Sequence, residues 1–144
     1  MKRILVIHGP NLNLLGKREP EIYGKMSLDQ LNELIMVHGR KLGFEIHIFQ
    51  SNHEGKLIDF IHDQSEYASG IVINPAAYTH YSIAIRDALA AIDLPTVEVH
   101  LSDINNREEF RRISVIKDVC LKQISGLGEK SYLDALDLLQ EKLN

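Results

Sequence analysis

RILVIHGP, residues 3–10, decides the fold class of this chain. Ile4, Val6 and Ile7 are β-branched, Leu5 adds bulk, and Gly9-Pro10 stops the run. So short an apolar segment, without polar alternation and closed by turn residues, reads as a strand buried on both faces. Working outward, residues 45–50, 70–74 (GIVIN, stopped by Pro75), 96–101 and 119–125 read as further strands, the last ended by Gly126-Leu127-Gly128.

Helical periods lie between these strands. Ser27 and Gln30 have the spacing of a capping box. The helix they open carries Leu28, Leu31, Ile35, His38 and Leu42 on one face and ends at Gly43. A second helix covers about residues 54–64 with Leu57, Ile58 and Ile61. A third covers 81–91, with Ile85, Ala88, Leu89 and Ile92 facing inward. A short one is expected near 106–110. The last runs over 130–143 and buries Tyr132, Leu136, Leu139 and Leu143. Residues 9–25 have no period and carry Gly9, Pro10, Gly16, Pro20 and Gly24, so they read as a long loop of the kind that usually serves function.

Strands alternating with helices predict an α/β fold with a parallel sheet covered on both faces. Five strands in this length predict a flavodoxin-like three-layer sandwich with strand order 2-1-3-4-5. The chain has 144 residues, which suits a single domain over 1–144. It is 44% hydrophobic and 25% charged, which is ordinary for a soluble globular protein. A net charge of −4 gives no reason to expect nucleic acid or a polybasic membrane contact. Cys120 is the sole cysteine, which excludes an intramolecular disulfide and a cysteine zinc cage. It reads as a buried structural thiol, since no base is placed beside it by sequence. No run is long enough to span a bilayer, and no signal core follows Met1-Lys2-Arg3, so the expected location is the cytoplasm.

Ligands of open parallel sheets bind beyond the carboxyl ends of the strands, near the reversal of strand order. Strand 1 ends in HGPNLNLLG, strand 3 in NPAAYTH and strand 4 in EVHLSD. In the predicted order these three ends converge on one pocket. The P-loop GxxxxGK[ST] and the dinucleotide GxGxxG are absent. The loop after strand 1 is too poor in hydroxyls for a flavin phosphate. A phospho-accepting receiver domain would need an acidic pair after strand 1 and an aspartate after strand 3, where Gly9-Pro10 and Asn74 stand. His53-Glu54-Gly55 does not continue as HExxH.

The pocket segments resemble those of the type II 3-dehydroquinate dehydratases. GPNLNLLGKREPEIYG at residues 9–24 follows that family's GPNLNLLGxREPxxYG. Residues 50–55 match its QSNxEG, and INPAAYTH at 73–80 is close to its INPGAYTH. AIRDAL at 84–89, EVHLS at 98–102 and REEFR at 107–111 follow. The resemblance implies loss of water from 3-dehydroquinate to give 3-dehydroshikimate through an enolate, with no metal, no Schiff base and no cofactor. Such chemistry needs a base beside the ketone, a group that holds the enolate oxygen, and an acid for the departing hydroxyl.

By the same resemblance Tyr23 is the base. A free phenol titrates near about 10, and Arg18 is the cation that would favour the phenolate. Arginine suits this because it stays charged when desolvated. His100 matches the general acid. Glu98 precedes it by two strand positions, so both side chains fall on one face, where the carboxylate can hold an imidazolium. Asn11 matches a residue that stabilises the enolate through a water. Asn74 and the N–H groups of Leu101 and Ser102 match the substrate carboxylate site. His80 and Arg111 match contacts to the ring hydroxyls, and Asp87 a residue reaching in from a neighbouring subunit. His8, His38, His47, His53 and His62 match no role and read as core or solvated histidines, and Asn13 reads as structural.

The chain departs from the family pattern at Ala76, where glycine is common, and at Tyr81, where a small hydroxyl residue is common and packing under the site is expected to change. Asp103, Asn105 and Asn106 replace a commoner asparagine-histidine-alanine arrangement. None of these is an assigned acid or base. The resemblance also implies a homo-oligomer, a dodecamer of four trimers. Two other readings fit parts of the sequence. A non-catalytic relative binding a small hydroxy acid as scaffold or regulator would not need both acid and base. A metal-dependent hydrolase lacks ligand spacing.

Overall fold

The structure is a computed structural model that describes residues 1–17, 21 and 25–144. Its five strands are β1 (Lys2–His8), β2 (Phe44–Gln50), β3 (Gly70–Asn74), β4 (Thr96–His100) and β5 (Lys122–Ser125). The helices α1 (Leu28–Lys41), α2 (Glu54–Gln64), α3 (Ile83–Ile92) and α4 (Lys130–Leu143) alternate with them. All pairings are parallel, in the order β2-β1-β3-β4-β5, as the sequence predicts.

The alternation of side chains along each strand builds the three layers. Ile4, Val6, Val72, Val97 and Val99 face α1 and α4, where they meet Leu31, Ile35, Leu136 and Leu139. Leu5, Ile7, Ile71 and Ile73 face α2 and α3, against Leu57, Ile61, Ile85 and Leu89. Each such fully buried aliphatic side chain contributes about 1.5–3 kcal/mol of transfer free energy. Continuous apolar runs are therefore what a sheet covered on both faces requires. The same alternation sends His8 and Asn74 toward the α1 and α4 side, and Glu98 and His100 toward the other.

Local chemistry sets the element ends. The Ser27 side chain accepts from the Gln30 N–H at 3.1 Å, and the Gln30 side chain accepts from the Ser27 N–H at 3.0 Å, which is the expected capping box. Ser82 caps α3 through the Ile85 N–H at 3.0 Å. That moves the start of α3 two residues past the expected Tyr81, which instead closes a 3₁₀ turn over Ala76–His80. The helix expected near 106–110 is replaced by two 3₁₀ turns, Ile104–Asn106 and Glu109–Arg111, with extended backbone at Arg107 between them. The Asp103 carboxylate caps the first through the Asn105 N–H at 3.0 Å. Segments this short do not recover the cost of helix nucleation. β5 begins at Lys122, because Lys117–Val119 is a 3₁₀ turn and pairing with β4 starts at Val97 opposite Lys122.

Two positions in the loop at residues 9–25 are anchored in the core. Leu12 and Leu15 are buried, and Leu12 opens a 3₁₀ turn over Leu12–Leu14. Gly9 comes so close to Pro75 that a Cβ would overlap its carbonyl group, and the Gly9 N–H donates to the Asn74 carbonyl at 2.7 Å. Glycine is therefore required to join the ends of β1 and β3. His38 does not reach the inner face of α1. It stays half-buried and bonds Asp137 at 2.7 Å, while buried Gly39 lets the helix settle on Ile46. Leu143 is only half-buried.

Candidate active site

The carboxyl ends of β1, β3 and β4 surround one pocket. Asn11, Asn74, His80, His100, Ser102 and Arg111 line it, with Pro10, Leu12, Ala76, Ala77, Leu101, Ile104 and Arg107 completing the wall. β1 and β3 flank the reversal of strand order, where the topology predicts a ligand.

Glu98 and His100, two positions apart on β4, form a buried pair with Nε2 and Oε2 2.6 Å apart. The Thr79 hydroxyl donates to the same carboxylate at 2.6 Å, and Ser114 Oγ lies 2.8 and 2.9 Å from its two oxygens. Burial acts to raise the Glu98 carboxyl, but the hydrogen bond and charge of His100, with the two hydroxyls, outweigh it. The carboxyl is held below its ordinary value. Glu98 is fully inaccessible and His100 is 5% exposed, so the imidazole is the member of the pair that meets the pocket. With Nε2 on the carboxylate, Nδ1 is left to face a ligand.

His80 is held differently. Its Nδ1–H donates to the Ile113 carbonyl at 2.7 Å, which fixes the tautomer and leaves Nε2 as an acceptor. Burial, together with the nearby His100 and Arg111 charges, lowers its pKa against the raising effects of that hydrogen bond and of Glu98. A neutral imidazole presenting a lone pair suits a hydroxyl donor. Arg111 is braced by Glu108, Nε to Oε2 at 3.1 Å, and stacks over Phe110.

The pocket also offers hydrogen-bond donors. Gly126 and Gly128 donate to the carbonyls of His100 and Leu101 at 3.3 and 3.0 Å. In a planar trans peptide the N–H points opposite to the C=O. The N–H groups of Leu101 and Ser102 therefore turn away from the glycine loop, on the side of the pocket both residues line. The Asn74 carboxamide is fixed at both ends: its Oδ1 accepts from the Ala76 N–H at 3.1 Å and its Nδ2 donates to the Tyr132 hydroxyl at 3.1 Å. Ala76 itself takes φ of +53°, a left-handed conformation that costs a non-glycine residue about 1–2 kcal/mol. This is the physical content of the alanine-for-glycine departure.

A family model described as dehydroquinase class II matches residues 2–140. The chain belongs to the class II dehydroquinase family. It is 59% identical to the 3-dehydroquinate dehydratase of Halothermothrix orenii over 96% of this chain and 94% of that one. The crystal structure of type II dehydroquinase from Butyrivibrio crossotus superposes with a TM-score of 0.94 at 51% identity, covering 96% and 97% of the two chains. The one from Propionibacterium acnes gives 0.94 at 44% identity, covering 98% and 97%.

Of the residues singled out in this class II dehydroquinase sequence, Asn11, Asn74, His80, His100, Leu101, Ser102 and Arg111 meet at the pocket, with Glu98 directly behind. Asn11 sits at its rim, exposed, with φ of +69°. Asp87 is exposed on α3 and does not line the pocket. Arg18 and Tyr23 lie outside the described residues. Tyr81 is 62% exposed, packs edge-on against Tyr78 and does not line the pocket. The half-buried Cys120 thiol is pushed up to about 12, chiefly by burial, which suits the structural reading. Among the described residues no three His, Cys, Asp or Glu side chains converge as metal ligands.

Sequence reasoning missed Thr79 and Ser114, which hold Glu98, and Arg107, whose Nη1 donates to Ser102 Oγ at 3.3 Å. The REEFR run carries Arg107 and was the available signal for it. His8, read as core or solvated, is a core residue: it is fully buried and held by Tyr132 and Asn32. Burial brings its pKa down from 6.5 to about 4, partly opposed by the Asn32 hydrogen bond. The folded state thus resists a proton that the unfolded chain accepts. The contribution of His8 is full above about 6.5 and is lost as pH falls toward 4, by about 3 kcal/mol in total. Urea unfolding at pH 7 and pH 4.5 should show this drop in the native chain and a smaller one in His8→Asn. Equal slopes in the two would exclude His8 as the source.

Proposed function

We propose that this pocket dehydrates 3-dehydroquinate to 3-dehydroshikimate through an enolate, as a step of the shikimate route to aromatic amino acids. A single observation carries the reading. In a chain of this family, a buried histidine–carboxylate pair opens onto a pocket that Asn74, Leu101 and Ser102 also line.

The roles in this proposal are those the family resemblance implies, and the pocket lining supports several of them. The N–H groups of Leu101 and Ser102 and the Asn74 amide take the substrate carboxylate. His80 accepts from one ring hydroxyl and Arg111 donates to another. With the substrate so held, Tyr23, its pKa lowered by Arg18, removes the proton beside the ketone. Asn11 steadies the enolate oxygen through a water. His100 delivers its proton to the departing hydroxyl, and Glu98 stabilises the charge on the imidazole before that transfer. The reaction asks for no metal and no cofactor.

The working form in this proposal is a homo-oligomer, four trimers making a dodecamer, in the cytoplasm, with one domain over residues 1–144. Asp87 on α3 completes a neighbour's pocket. Exposed apolar side chains at Tyr81, Ile83, Phe110 and Ile113 support burial against another copy at this end of the molecule. Among the described residues, no helix is long and apolar enough to cross a membrane. A purely binding role finds no support among the relatives, which bear the enzyme's name.

The test mixes purified protein with 3-dehydroquinate and follows the ultraviolet absorbance of the conjugated enone. A rise proportional to protein, unchanged by chelator or borohydride, is expected. Sedimentation of the same sample gives its assembly. No rise from an assembled sample would exclude the lyase.

A further inference from the structure

Behind the pocket runs a chain of buried and half-buried hydrogen bonds that the chemistry does not use directly. Ala76 contributes a backbone N–H, which can only donate, so the Asn74 atom 3.1 Å from it is the amide oxygen. The nitrogen therefore faces the Tyr132 hydroxyl at 3.1 Å and donates to it. Tyr132, fully buried, turns its own proton to His8 Nδ1 at 3.0 Å. That ring, also fully buried, holds its remaining proton on Nε2 and gives it to Asn32 Oδ1 at 2.8 Å. Every donor and acceptor in the sequence Asn74, Tyr132, His8, Asn32 thus points the same way. The neutral state of His8 makes this consistent, because a doubly protonated ring could not accept from tyrosine.

The consequence lies at the pocket end. The amide oxygen of Asn74 is engaged by Ala76, and one Nδ2 hydrogen by Tyr132. The second Nδ2 hydrogen is left for the pocket that Asn74 lines. A flipped amide would present oxygen to an anion and repel it. We propose that Tyr132, backed by His8 and Asn32, is a positioning residue that locks the Asn74 carboxamide as a hydrogen-bond donor toward the substrate carboxylate. This rests on the assignment of Asn74 to that carboxylate.

The experiment measures kcat and KM for 3-dehydroquinate in Asn74→Ala, Tyr132→Phe and the double variant, below their melting temperatures. Tyr132→Phe removes only the hydroxyl. It should raise KM about threefold to tenfold, the worth of one hydrogen bond, with kcat within about twofold of the native value. It should add nothing further on the Asn74→Ala background, because its whole effect passes through that amide. Asn32→Ala, which cuts the far end of the chain, should raise KM less, and it carries the test if Tyr132→Phe fails to fold. An unchanged KM in Asn74→Ala would overturn the carboxylate assignment itself. A raised KM there with native KM in Tyr132→Phe and Asn32→Ala would overturn the positioning role alone. So would a Tyr132→Phe effect that falls on kcat or persists in the double variant.

Discussion

His100→Ala should lower kcat by about 10²–10⁴-fold, the usual worth of a positioned general acid, while KM changes little. Its imidazole meets the pocket but is not among the groups assigned to grip the substrate, so its loss removes an interaction made mainly in the transition state. Hydroxide is a poor leaving group, and without a proton donor the carbon–oxygen bond must break with the full negative charge on oxygen. Steady-state kinetics by enone absorbance gives kcat and KM together. A drop in kcat with unchanged substrate affinity supports the assignment. A rise in KM with native kcat would make His100 a binding residue and move the acid elsewhere. The unpaired Glu98 carboxylate left by this variant would also be costly, so His100→Gln, which keeps a donor near the carboxylate, is the better-folded comparison.

The strands and helices were legible because burial on both faces leaves a plain signature. RILVIH and GIVIN could be little else, and Ser27 with Gln30 marks the start of α1 by its own hydrogen bonds. The misread segments have separate causes. Val119-Cys120-Leu121 is apolar, yet Lys117–Val119 packs as a turn and the first bond to β4 is from the Leu121 N–H to the Thr96 carbonyl at 2.8 Å. The apolar character of this segment marks neither full burial nor strand pairing, since Val119 and Cys120 are half-buried and Leu121 is exposed. The helix expected near 106–110 gives way to two 3₁₀ turns, the first capped by the Asp103 carboxylate.

The site was legible unevenly. Glu98 and His100 could be paired from spacing alone, since two strand residues apart means one face. The roles of Asn11, Arg18, Tyr23 and Arg111 came from the motif resemblance, because polar loop residues carry no periodicity to read. Thr79 and Ser114 are ordinary hydroxyls, 19 and 16 residues from Glu98 in the chain, and only the fold brings them to the carboxylate. The His8–Tyr132 contact spans 124 residues and was equally invisible.

Glu98→Ala should destabilise the fold by about 3–5 kcal/mol, the typical cost of removing one partner from a buried ion pair. The carboxylate is fully inaccessible and serves His100, Thr79 and Ser114 at once, so its loss strands three polar groups and opens a void. Glu98→Gln separates stability from chemistry. It keeps the volume and one acceptor oxygen, so it should unfold less readily than Glu98→Ala. It cannot stabilise an imidazolium, so kcat should still fall, by about 10²-fold. The pH dependence has a definite sign. The folded Glu98 pKa is held below the unfolded value of 4.5, so the unfolded chain binds the proton first. Its stabilisation is present above about pH 4.5 and is lost as pH falls through the folded value. Urea midpoints for the native chain and Glu98→Gln should therefore differ most near neutrality and converge in acid. A gap that stays constant down to acid pH would show that the ionised carboxylate is not what holds this part of the fold. Native kcat in a folded Glu98→Gln would show that His100 acts without its help.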